Sequence, residues 1–136
     1  MVALPELNEA VRLRNQKIIE DWISALNALN HQIKQWVADW EQKGALRVTE
    51  VPVTKTEEPL GTYQVKMLVM ISENNHVDVY PVGRFSLGAI GRVDITNYKK
   101  SFSFLYSRSK GWLSLDSRKP LTEPLFFELL DRLLDD

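Results

Sequence analysis

The chain has no cysteine, and that absence removes disulfides, thiolate nucleophiles and cysteine-ligated metals together. It also suits a reducing compartment, so the cytoplasm is the expected location. With only two histidines, His31 and His76, a zinc site within one chain is not expected, and no motif calls for a cofactor. Nothing approaches a run of about 18 apolar residues, so neither a transmembrane helix nor a membrane partner is expected. The opening Met1-Val2-Ala3-Leu4-Pro5-Glu6 lacks the basic start and apolar stretch of a secretory signal. Glycine and proline are sparse, six of each, and neither occurs between Glu6 and Lys43.

That uninterrupted stretch carries a helical period. Pro5 sits at the first helical position, Glu6 and Glu9 oppose the positive end of the dipole, and Lys43-Gly44 closes the far end. The pattern predicts one helix over 5–43, about 57 Å long at 1.5 Å per residue. A compact globule of this chain length is only about 35–40 Å across. A straight helix therefore overhangs its own domain, and its apolar face needs a second chain to cover the excess.

On a wheel centred on Trp22, residues Leu4, Leu7, Val11, Ile18, Leu29, Ile33, Trp36 and Trp40 fall within about 60° of it. The rows repeat every 11 residues (Val11, Trp22, Ile33; Leu7, Ile18, Leu29, Trp40), a period that keeps a nearly straight helix in register with a partner. Val11, Ile18, Trp22, Leu29, Ile33, Trp36 and Trp40 are thus the expected interface residues, with the large aromatics as anchors. Asn27, Asn30 and His31 are poor helix formers. A break there would fold the helix into a hairpin and remove the overhang.

After Gly44 the period shortens to two. Strands are expected at 46–53, 62–72, 76–82, 92–98, 101–108 and 112–116, with a polar loop from Thr54 to Gly61 and a turn at Glu73-Asn74-Asn75. Pro52 marks its strand as an edge. Strand 62–72 is apolar on both faces, as a strand covered on both sides would be. Thr122 caps a second amphipathic helix, 122–134, lined by Leu125, Phe126, Leu129, Leu130 and Leu133. Asp135-Asp136 opposes its dipole, so its last turn is expected to fray. The fold class is α+β in a single domain: long N-terminal helix, antiparallel sheet of about six strands over 46–116, and short C-terminal helix.

Chemistry is harder to find. His76, Asp78 and Tyr80 share one strand face, where a His–Asp pair could orient an imidazole; the polar outer face of a half-covered strand accounts for them better. Gly83, Gly88 and Gly91, with two Gly-Arg steps around Phe85, lack the Gly-Lys-Ser/Thr ending and following helix of a phosphate loop, and bulges explain them. A basic segment is more serious. Residues 84–119 hold 8 basic against 2 acidic side chains, while 120–136 holds 1 against 5. Arg84, Arg92, Lys99, Lys100, Arg108 and Lys110 interleave with Phe85, Tyr98, Phe102, Phe104, Tyr106 and Trp112, as in single-strand nucleic-acid binders. Alternation over 101–108, however, gathers the aromatics opposite the serines, which is how a core face reads.

The reading is a non-enzymatic protein-interaction or assembly module, a homo-oligomer or the binder of a protein partner, using the long helix and the sheet. Nucleic acid contacted by 84–119 is the rival expectation. An apolar ligand between sheet and helix is a third.

Overall fold

A computed structural model describes residues 4–58, 60–84 and 90–135, the first four of these in backbone only. Helix α1 (Leu4–Gln42) is a single unbroken element of 39 residues. The helix is continuous as the pattern predicts, and the alternative, a break at Asn30-His31, does not occur. Asn30 is buried, and its side-chain amide donates to the Lys66 carbonyl at 3.1 Å. Its amide donor is turned to the sheet and not to its own helix backbone, the competition that makes asparagine a helix breaker elsewhere, while its buried Oδ1 finds no partner among the described residues. His31 faces solvent. At the C-terminal end Gly44 adopts φ +77°, and the Ala45 and Gly44 N–H groups donate to the Trp40 and Glu41 carbonyls. This pair of bonds closes the helix where Gly44 lets the chain turn.

Six strands follow in a meander: β1 (Arg47–Glu57), β2 (Gly61–Ile71), β3 (His76–Gly83), β4 (Gly91–Thr96), β5 (Ser101–Ser107) and β6 (Gly111–Ser114), each antiparallel to the next. Helix α2 (Glu123–Leu134) ends the fold, its cap Thr122 accepting from the Leu125 N–H. The α+β class is as expected, but β1 outruns its expected end. Thr54–Glu57 pairs with Gly61–Gln64 in unbroken register, so the polar segment is hairpin and not loop.

Both helices lie on one face of the sheet. Trp22, Leu26, Ile33 and Val37 of α1 and Phe126, Leu130 and Leu133 of α2 form one core with Leu68, Met70, Val77, Val79, Val93, Ile95 and Phe104. Strand β2 is thus not covered by helices on both sides. Its buried positions change parity, from Tyr63 and Val65 to Leu68 and Met70, although its register with β1 never slips. The cause is where β3 ends its pairing: Leu68↔Val79 is the limit. Beyond it only β1 and β2 remain, and a two-stranded ribbon twists more strongly than a full sheet. The twist turns Tyr63 and Val65 inward.

Two local contacts lock the helices. Trp22 lies directly over Gly91, where a Cβ would come within 2.4 Å of the indole ring. The last turn of α2, expected to fray, is held: Asn75 and Asn97 both donate side-chain N–H groups to the Leu133 carbonyl, at 2.9 and 2.8 Å. Pro52 lies opposite Lys66 in the β1–β2 ladder. Because the Lys66 carbonyl points to Asn30 and away from β1, this is a non-hydrogen-bonded pair, and the Pro52 nitrogen faces the open side of β1.

Candidate functional site

The helix outgrows the sheet it packs on. From Trp22 to Val37 its inner face is buried, yet across 8–20 every residue is exposed or half-buried. Asp21 marks the edge of the domain, accepting Arg108 at 2.6 Å and pairing with Lys17 at 3.3 Å. Beyond it Val11 is 36% exposed and Leu13 52%, while Ile18 and Ile19 are half-buried. Residues 8–17 alone project about 15 Å at the helical rise.

The expected interface residues therefore divide into three groups. Trp22, Leu29 and Ile33 are at most 4% exposed; they are corrected from anchors for a second chain to members of this chain's own core. Trp36 and Trp40 are half-buried against α2, their rings 5.5 Å from Phe126 and 5.1 Å from Phe127. Val11 and Ile18 lie on the projecting turns, where no part of the described chain covers them fully. The side chains of Leu4 and Leu7 lie outside the described residues. Leu13, the most exposed large aliphatic side chain among the described residues, was missed by the stripe because it lies on the opposite side of the helix.

The sheet face away from the helices is the second open surface. Over β1 and β2 it is apolar, with Val51 38% exposed and Met67, Val69 and Ile71 half-buried. Over β3 to β5 it is polar. Lys55 Nζ lies over the Tyr80 ring and donates to its hydroxyl. Arg92 pairs with Asp94, which also accepts from Ser103.

On this same face Asp78 departs from the expected solvated position, being only 4% exposed. Its Oδ2 accepts the Tyr98 hydroxyl at 2.5 Å and lies 3.8 Å from His76 Nε2, while its buried Oδ1 has no partner among the described residues. Tyr98 reaches it from a left-handed backbone, φ 69°. Although Tyr98 as a residue is 61% exposed, its hydroxyl ends at this sunken carboxylate. Loss of solvent first, then the bond to Asp78, push its pKa up. The Tyr63 hydroxyl is likewise raised by burial and by its donation to Glu57.

The basic residues are not brought together. Lys99 and Lys100 sit in the β4–β5 turn, and Arg108 and Lys110 at the β5–β6 turn, so a whole strand of about 20 Å separates the pairs. Arg92 is held by Asp94, Arg108 by Asp21, and Arg84 meets Glu57 through its backbone N–H. Phe102, Phe104, Tyr106 and Trp112 line the helix-facing side, with Trp112 6.1 Å from Trp22. Phe85 and Gly88 lie outside the described residues. Among the described residues no group of three His, Asp or Glu side chains could hold a metal ion, and no helix is long and apolar enough to cross a membrane. No protein-family model, curated protein or solved structure matches this chain.

Proposed function

We propose that the chain is a non-enzymatic interaction module that associates with a second copy of itself, or with another protein, through the projecting turns of α1 and the apolar half of the open sheet face. The observation that carries this reading is the helix itself. Its apolar row continues through Ile18 and Val11 after Trp22, the last fully buried member. Fully burying such a side chain contributes about 1.5–3 kcal/mol, a gain unused in the isolated chain. The absence of cysteine suits the cytoplasm as the place where it works. Light scattering at micromolar concentration tests the self-associating form. A mass of at least two chains is expected, and a single-chain mass would abandon self-association.

A further inference from the structure

A pocket of about 310 Å³ opens between α2 and the free side of β5. It exists because β6 is short. β6 stops at Ser114, where the chain turns back on itself: Arg118 and Lys119 donate N–H groups to the Ser114 carbonyl and hydroxyl, and Leu115 donates to the Ser103 carbonyl. No strand runs beside Ser101 and Phe102 on that side, and α2 roofs the gap.

Its floor and its mouth differ in chemistry. Phe104 and Leu129 are buried, and Phe102 and Leu125 half-buried, which gives an apolar floor. At the exposed mouth stand Lys119, Arg132, Glu128 and Asp116. The four charges cancel in number but differ in position, the Arg132 guanidinium being the one that rests on the apolar wall. Asp116 is engaged by its own turn, accepting the Ser117 N–H at 2.8 Å. Glu128 and Arg132 have the i,i+4 spacing that favours a helical ion pair. Among the described residues, however, neither makes one, because the Arg132 guanidinium lies 4.9 Å from the centre of the Phe102 ring. Lys119 makes no ion pair among the described residues either.

We propose that this pocket binds a small organic acid with an apolar body. The body fills the space over Phe102, Phe104 and Leu129, and the acid group meets Arg132 with Lys119 across from it. The guanidinium already rests on the apolar wall with its donors unpaired by carboxylate, and its planar fork suits a carboxylate better than a point charge would. The volume falls at the small end of ligand pockets, so the ligand is small.

The test uses octanoate as probe on the isotope-labelled chain, with octanol and octylammonium as neutral and cationic counterparts. Amide shifts are expected to cluster at Phe102, Leu125 and Leu129. Octanoate should bind about five-fold more tightly than octanol, and Arg132→Gln should erase that difference, since a part-exposed ion pair is worth no more than about 1 kcal/mol. Arg132 is exposed, so its variant should unfold at the same urea concentration; Lys119→Gln stands in should it not. Shifts elsewhere, tighter binding of octylammonium, or an acid preference that survives both variants would overturn the proposal.

Discussion

Placing a single methyl group at Gly91 tests the central contact of this fold. A Cβ there would lie 2.4, 2.5 and 2.7 Å from Cζ3, Cε3 and Cη2 of Trp22, whereas carbons rest about 3.5–4.0 Å apart. The shortfall is about 1 Å across the benzene half of the indole. Trp22 is 0% exposed and braced by Trp112, so the ring cannot slide away without disturbing β6. Backbone strain is not involved, because Gly91, unlike Gly44, does not have a positive φ. Overpacking of this kind costs about 1–3 kcal/mol, a large share of the roughly 5–15 kcal/mol that holds a domain together. Gly91→Ala should therefore lower the midpoint of urea unfolding by about 1 M, at an m-value of about 2 kcal/mol/M. Trp22→Phe removes the clashing atoms. The double variant should be more stable than the two single losses predict, by about 1 kcal/mol or more. If Gly91→Ala unfolds with the parent chain, or if the two changes simply add, Trp22 does not sit on Gly91.

Four further outcomes are expected. Val11→Glu should return the assembled protein to single-chain mass by light scattering while leaving its unfolding within about 0.5 kcal/mol of the parent; an unchanged mass would put the contact elsewhere. Trp36→Ala should cost roughly 3 kcal/mol through its lost packing on Phe126, far more than His76→Ala, and urea melts of the two would show the reverse if the tryptophan were idle. Folding raises the Tyr98 pKa, so the stability tied to its proton is complete below a pH of about 10 and lost as pH climbs towards the folded value. The advantage of the parent over Tyr98→Phe should accordingly shrink in melts above that pH, and a constant difference would refute the link. Finally, labelled oligonucleotides should show little change in anisotropy at physiological salt; tight binding abolished by Lys99→Glu/Lys100→Glu would favour the nucleic-acid reading instead.

Much of this was legible in the chain, and the failures share a cause. Helix α1, the six strands and α2 announce themselves through period and punctuation, because a stripe or an alternation is a local property. Asn30 looked like a breaker because its partner, the Lys66 carbonyl, lies 36 residues away. Asp78 looked solvated because the lid that buries it is Tyr98, brought over by a turn that alternation does not describe. The interface stripe was correctly periodic, yet periodicity cannot say whether a row faces the chain's own sheet or another molecule. Trp22 and Ile33 went to the former, and Val11 was left over. The pocket at β5 had no sequence signal at all, since it arises from β6 stopping short.

Strand β1 forms one border of the sheet, 11 residues long, and an uncovered border of that length is normally a template on which foreign strands polymerise. Pro52 stands at its middle with its nitrogen turned outward, so an incoming strand meets a gap in the row of donors and a ring in its way. The proline divides the border into two halves, so no ladder can run unbroken along its full length. The residue that ends hydrogen bonding at the middle of this border thus acts as a guard against strand addition, and it does so without shortening the strand that carries the hairpin.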